Sequence, residues 1–385
     1  MIPYGKQDIN QDDINSVLEV LKSDFLTQGP QVPIFEQSVS DFVGAKHGVA
    51  VNSATSALHI ACLSLGFTKG DILWTSPNTF VASANCAIYC GGNVDFVDID
   101  PDTLNMCPDA LEAKLIIAKE KGLLPKIVVP VHFAGQSCDM KRIHELSLKY
   151  DFKIIEDASH AIGGKYLNQY VGNCSYSDIT VFSFHPVKII TTAEGGLATT
   201  NQSNLAERMN LFRTHGITRD KNLFNTKSEG SWYYEQHELG FNYRLTDLQA
   251  ALGIAQLRRI QSFIEKRHTL KERYEKLLDS ENILLPKQDK NCYSALHLYP
   301  IQLKLEALTL SKKEIFEILR DQGIGVNTHY IPVHFHPYYE KLGFKRGDFP
   351  NAEHYYKSAI SIPIFSSMSN KDQEYVVSTL LKTIK

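Results

Sequence analysis

A chain of 385 residues is long enough for two or three domains, each with a sizeable core. Forty basic against 43 acidic side chains leave a net charge of −3, so no whole-protein field draws in nucleic acid or an anionic lipid surface. With 43% hydrophobic residues, 23 Gly and 15 Pro, the composition excludes a disordered, collagen-like or low-complexity chain and leaves an ordinary enzyme or binding protein.

The first 25 residues read as a leading helix that joins the last segment of the chain. Their opening, MIPYGKQDINQDD, is polar and acidic and does not have the pattern of a secretory leader. From about 45 to 200, short β-branched runs alternate with helical patterns in the order of repeated βα units. The predicted strands are His47 to Val51, Ile72 to Ser76, Val94 to Asp98, Lys126 to His132, Lys153 to Asp157 and Ile179 to Ser183. Helices are predicted over Ala54 to Gly66, Phe80 to Tyr89, Pro108 to Lys121 and Asp139 to Tyr150. Most of the strand runs are continuously apolar, which predicts an α/β fold with a mainly parallel sheet covered on both faces. Ligands then belong at the carboxyl ends of its strands. Beyond residue 200 come helical stretches at Asn204 to Arg213 and Leu245 to Leu278, separated by a polar and aromatic loop from Thr218 to Asn242. A mixed segment closes the chain. The expected division is an N-terminal segment 1–25, a large domain 26–255, and a long helix with a small domain over 256–385.

Seven scattered cysteines without a C-x-x-C pair fit a reducing cytosol. Cys86 and Cys90 have helical metal-pair spacing, but no second pair completes a metal site. No stretch approaches the roughly 20 apolar residues that span a bilayer. The expected location is the cytoplasm, with no membrane or nucleic-acid partner.

Three motifs carry chemistry. KIIEDASHAIGG ends a buried strand in Glu156-Asp157, an acid where sheet meets ligand. ITVFSFHPVKIITTAEGG places Lys188 just past another buried strand. A lysine facing such a crevice is partly desolvated, which lowers its pKa and makes its amine nucleophilic toward carbonyls. With an aspartate to keep a pyridine nitrogen protonated, this is the arrangement that pyridoxal phosphate needs. NSATSALH lies at a strand-to-helix junction, where backbone N–H groups and small hydroxyls receive a phosphate. Taken singly, each also has a structural reading: a surface lysine, a strand-ending aspartate, a helix N-cap at Ser53 or Thr55.

In their order, these motifs and LTQGP, SPNTFVASAN, GFNYRLTDLQAALGIAQL and HYIPVHFHPYY resemble the sugar aminotransferases of the DegT/DnrJ/EryC1/StrS group over essentially the whole chain. That resemblance implies the aspartate-aminotransferase fold (fold type I) and pyridoxal 5'-phosphate as cofactor. It implies that Lys188 carries the cofactor and that Asp157 pairs with its ring nitrogen. Phe80 would stack on the ring, with His160 beside it. The Ala54 backbone and the Thr55 and Ser183 hydroxyls would hold the phosphate, and Asn242 would reach the phosphate in a neighbouring subunit, giving a homodimer with shared active sites. Members with His in place of the lysine dehydrate sugars, so Lys188 implies amino transfer.

The wording is most similar to members that move an amino group from L-glutamate to C4 of a UDP-linked 4-keto-6-deoxy N-acetyl hexose on the route to pseudaminic acid. Enzymes of other UDP- or dTDP-4-keto-6-deoxy sugars are the nearest alternative, and a non-catalytic cofactor-binding regulator is a further one. Arg244, His185, His329 and Tyr330 are the candidate substrate contacts; Arg244 equally reads as a surface arginine opening a helix, and His185 as a loop-packing residue. His329, His334 and His336 have the spacing of a metal site, but Pro332 and Pro337 break the regular geometry, and no metal is expected.

Overall fold

The computed structural model describes residues 1–385. Its N-terminal part divides between two places. Strand β1 (Ile2–Pro3) is followed by helix α1 (Gln11–Leu21), opened by a capping box in which Asn10 and Asp13 exchange side-chain and backbone bonds. Helix α2 (Gln31–Val43) ends at Gly44, whose φ of 82° closes the helix in the left-handed region.

Repeated βα units follow: β2 (His47–Val51), α3 (Ala54–Ser64), β3 (Ile72–Thr75), α4 (Ala82–Tyr89), β4 (Asn93–Phe96), α5 (Pro108–Lys121), β5 (Ile127–Val129), α6 (Met140–Tyr150) and β6 (Lys153–Asp157). A small hairpin, β7 (Lys165–Tyr166) and β8 (Gln169–Tyr170), leads to β9 (Ile179–Ser183), β10 (Gly196–Thr200) and α7 (Ser203–Arg213). Seven strands form one sheet in the order β2-β10-β9-β6-β5-β3-β4. All neighbours are parallel except β10, which runs antiparallel to both β2 and β9.

Alternate residues of the strands enter opposite cores, which is why the runs are apolar throughout. Val49, Val51, Val181 and Ala198 pack with α3 and α4, whereas Ala50, Phe182 and Leu197 pack with Phe35 and Val39 of α2. Each of the buried Val, Leu and Phe side chains contributes about 1.5–3 kcal/mol.

Past α7, strands β11 (Ile217–Thr218) and β12 (Glu235–Gln236) pair at the base of the aromatic loop. The helix predicted from Leu245 to Leu278 is two helices, α8 (Asp247–Leu257) and α9 (Ile260–Leu277). They part at Arg258–Arg259, where Arg259 (φ −103°, ψ 0°) bonds Asp8 and Asp13 at 2.9 and 2.5 Å. Asp13 also accepts from the amide of Gln256 at 2.8 Å. Helix α1 is therefore held against α8, a correction to the expectation that the first 25 residues pack with the last segment.

The C-terminal part continues with β13 (Ile283–Leu284), β14 (Cys292–Tyr293), which pairs with β7, then β15 (Tyr299–Leu303), α10 (Lys312–Asp321), β16 (Ile324–Gly325), α11 (Pro337–Glu340), α12 (Pro350–Ser358), β17 (Ala359–Ile362) and α13 (Asn370–Thr383). From the N-terminal segment, β1 joins it by pairing in parallel with β16, the Tyr4 carbonyl accepts from the Ile364 N–H, and Ser366 bonds Asp8. Arg267 of α9 is wholly buried and donates to the carbonyls of Leu296, His297 and Ile364, tying the long helix to the small domain. No helix is long and apolar enough to cross a membrane.

Candidate active site

A cleft of about 480 Å3 opens where β6, β9 and the N-terminus of α3 converge, walled on the far side by residues 327–330 of the small domain. It brings together Ala54, Thr55, Phe80, Asp157, His160, Ser183, His185, Lys188, His329 and Tyr330. Asn242 and Arg244 do not line it. Asn242 pairs by its backbone with Thr214, and Arg244 borders a separate cavity of about 200 Å3 with Glu36 and Arg213.

Asp157 ends β6, and the alternation of the strand turns its carboxylate to the cleft while Glu156 points the other way, into a buried bond with His132 at 2.7 Å. The Asp157 carboxylate accepts from Ser83 Oγ at 2.6 Å and from the Ser159 N–H at 3.1 Å. Ser83 lies on α4 and also bonds Thr79 at 2.7 Å, so the loop carrying Phe80 is tied to the carboxylate. Phe80 itself remains 59% exposed at the mouth, with its ring centroid 6.3 Å from that of Tyr330.

Lys188 sits in the turn after β9, with its N–H donating to the His185 carbonyl at 2.9 Å. Its amine has no hydrogen-bond partner; burial pushes its pKa down to about 8, with the Asp157 charge acting in the opposite direction. A poorly solvated amine without a partner, facing a held carboxylate, is the donor set that pyridoxal phosphate requires.

The opposite end of the cleft suits the phosphate. Ser53 caps α3 by accepting from the Ser56 N–H, leaving the first-turn N–H groups of Ala54 and Thr55 without intrahelical partners. Gly196 begins β10 against this turn: a Cβ there would lie 2.5 Å from the Ala54 nitrogen. The chain thus has no side chain where the cradle is narrowest, and the Thr55 and Ser183 hydroxyls border it.

His160 is fixed in one neutral tautomer. The Ala134 N–H donates to its Nδ1 at 3.3 Å, so Nε2 carries the proton and faces Tyr330 Oη at 3.0 Å. Burial, then the charge of Lys188, holds its pKa well below the usual histidine range. Tyr330 accepts from His160 and has its own hydroxyl proton left for the cleft. His329 bonds Ser361 at 2.8 Å and His334 bonds Glu353 at 2.9 Å, so the three histidines of the HYIPVHFH stretch do not converge. No three His, Cys, Asp or Glu side chains anywhere are grouped to hold a metal ion.

Sequence reasoning missed Ser83, whose only signal was its position one helical turn after Phe80. It also missed Tyr4, Asn327 and Thr328, which line the cleft from elements remote in sequence.

The family model described as the DegT/DnrJ/EryC1/StrS aminotransferase family matches residues 7–381. A UDP-4-amino-4,6-dideoxy-N-acetyl-beta-L-altrosamine transaminase of Campylobacter jejuni subsp. jejuni serotype O:23/36 is 40% identical over 387 residues, covering 100% of this chain and 98% of that protein. Helicobacter pylori PseC, an aminotransferase involved in the biosynthesis of pseudoaminic acid, superposes with a TM-score of 0.89 at 33% identity, covering 100% of this chain and 99% of that one. The putative sugar aminotransferase Spr1654 from Streptococcus pneumoniae in its PLP-form gives 0.89 at 28% identity, covering 99% and 98%. With a fold-type-I sheet, a cleft that fits the cofactor and a family match along nearly its whole length, the chain belongs to the DegT/DnrJ/EryC1/StrS aminotransferase family and is a pyridoxal-phosphate-dependent sugar aminotransferase.

Proposed function

We propose that the enzyme transfers the amino group of L-glutamate to C4 of UDP-2-acetamido-2,6-dideoxy-β-L-arabino-hexos-4-ulose, giving UDP-4-amino-4,6-dideoxy-N-acetyl-β-L-altrosamine for pseudaminic acid synthesis in the cytoplasm. The observation that carries the amino-transfer chemistry is the unpartnered amine of Lys188, half-buried in one cleft with Asp157. The full-length similarity to the Campylobacter transaminase supports the choice of sugar.

When bound, pyridoxal phosphate would supply the electron sink that amino transfer needs. Asp157 would hold the ring nitrogen protonated, Phe80 and His160 would lie beside the ring, and the α3 N-terminus with Thr55 and Ser183 would hold the phosphate. Lys188 removes the proton from Cα of glutamate in one half-reaction and delivers a proton to C4 of the sugar in the other.

Lys188 is the one lysine or arginine in the cleft, so the sugar diphosphate needs cations from elsewhere. Arg244, two residues past Asn242, supplies one from a neighbouring subunit in a homodimer with shared sites. His185, His329 and Tyr330 border the sugar.

The substrate assignment is tested with wild-type enzyme, L-glutamate and a panel of UDP- and dTDP-linked 4-keto-6-deoxy sugars, with products identified by NMR. The expected result is one 2-oxoglutarate per amino sugar and a kcat/KM for the UDP-linked N-acetyl sugar at least about tenfold above the others. Preference for a different keto sugar overturns the assignment.

The pKa of Lys188 has its own consequence. At pH 7 about one amine in ten is uncharged, against about one in three thousand for an ordinary lysine. Uptake of pyridoxal phosphate by the apoprotein should accelerate about tenfold per pH unit below about 8 and level off above it. A rate still climbing at pH 10, followed by stopped-flow absorbance, would place the amine in solvent.

A further inference from the structure

We infer that the hydroxyl of Tyr4, carried into the cleft by the N-terminal strand, donates a hydrogen bond to an uncharged oxygen of the hexose and so contributes to selection of the sugar. The inference rests on the amino transfer to a nucleotide sugar proposed above.

The segment is held from both sides. Strand β1 pairs Ile2 with Ile324 and Pro3 with Gly325, and the Ile364 N–H donates to the Tyr4 carbonyl at 3.1 Å. Gly5 lies against Val187, the residue before Lys188: a Cβ there would be 3.6 Å from the Val187 oxygen. Between these anchors the Tyr4 ring sits 5.1 Å from that of His329 and lines the same cleft as Lys188 and Asp157.

The hydrogen bonds around it have a fixed direction. The Thr328 N–H donates to Asn327 Oδ1 at 2.8 Å, which identifies the oxygen of that amide. Nδ2 of Asn327 therefore donates, and it lies 3.3 Å from His329 Nε2. His329 accordingly carries its proton on Nδ1, directed at Ser361 Oγ. Burial raises the Tyr4 pKa, so its hydroxyl keeps its proton at pH 7. On the cleft wall the Tyr4 hydroxyl has no hydrogen-bond partner within the protein, so its proton is free for a ligand.

The chemistry of this wall selects the ligand. Tyr4, Asn327 and Thr328 are uncharged, and burial followed by the charge of Lys188 pushes His329 down to about 3, so it too is neutral at pH 7. The two carboxylates of an amino-acid donor call for cations. A neutral donor beside a neutral imidazole matches hydroxyl, acetamido or ring oxygens instead.

The test is Tyr4→Phe, which keeps the ring and the strand pairing and removes one hydroxyl. The dissociation constant of the nucleotide sugar, measured by calorimetry, and its KM should both rise about five- to tenfold. The glutamate half-reaction, read from the cofactor absorbance in single turnover, should keep its rate and concentration dependence, and the melting temperature should not move. Unchanged sugar binding overturns the inference, and so does an equal loss in both half-reactions, which makes Tyr4 a packing residue. If the wild type prefers a dTDP-linked sugar, the same comparison is made on that sugar: failure of the UDP assignment is read from the wild type alone, and failure of the Tyr4 role from the ratio of the two proteins.

Discussion

Lys188→Ala is expected to lower amino transfer by about 10⁴-fold or more, because in the proposed function one amine both bonds the cofactor and moves the proton in each half-reaction. The variant should also lack the visible absorption of lysine-bound pyridoxal phosphate and give no covalent label with borohydride. Folding should survive, since the amine makes no ion pair or hydrogen bond whose loss would strand a buried partner. A melting temperature at or above that of the wild type, together with lost turnover, distinguishes chemistry from misfolding. Retained borohydride labelling would assign the cofactor to another lysine. The same variant tests the shared site. Mixed one to one under exchange with Asn242→Ala, it should recover about a quarter of wild-type activity, because half the dimers are hybrids and one site in each hybrid carries neither lesion. No recovery would place Asn242 outside its neighbour's site.

Asp157→Asn is expected to cost about 10²–10⁴-fold in kcat while leaving the fold in place. The amide oxygen still accepts from the Ser159 N–H, and the Ser83 hydroxyl, bonded to both Thr79 and Asp157, can rotate to accept from the new amide. The change therefore removes charge without removing shape. A neutral partner no longer favours a protonated ring nitrogen, so the electron sink weakens although the cofactor still binds. Titration with pyridoxal phosphate should show retained binding at reduced turnover. A variant with more than about a tenth of wild-type kcat would mean that the charge has no such role.

What the sequence showed and what it hid follow from the range of the forces involved. Lys153–Asp157 and Ile179–Ser183 were legible as strands because burial on both faces demands continuous apolar residues. Helix α5 was legible at both ends, with Pro108 in its first turn and Gly122 just past its last. Lys188 and Asp157 could be read as a pair because strand ends in a parallel sheet converge on one crevice. The break at Arg258–Arg259 was not legible, since the helical apolar pattern runs through it and the bonds to Asp8 and Asp13 come from the far end of the chain. Tyr4 and Asn327 were invisible for the same reason. The polar character of position 160 was legible only as a family resemblance. Its physical basis is that the side chain must accept from the Ala134 N–H and donate to Tyr330 at once. A carboxamide also combines an acceptor with a donor.

The pairing of Ile2 with Ile324 also sets a timetable. At about 5–20 residues per second of synthesis, the N-terminal strand waits roughly 20–60 s for its partner. Lys188, Asp157 and the phosphate cradle are all made well before then. From the synthesis of Lys188 until that pairing, the growing chain holds every residue proposed to bind the cofactor within one subunit but lacks the wall formed by Tyr4 and residues 327–330. A ribosome-bound chain arrested short of residue 324 therefore offers its reactive amine to open water, and enclosure of the cleft begins only after Gly325 has emerged.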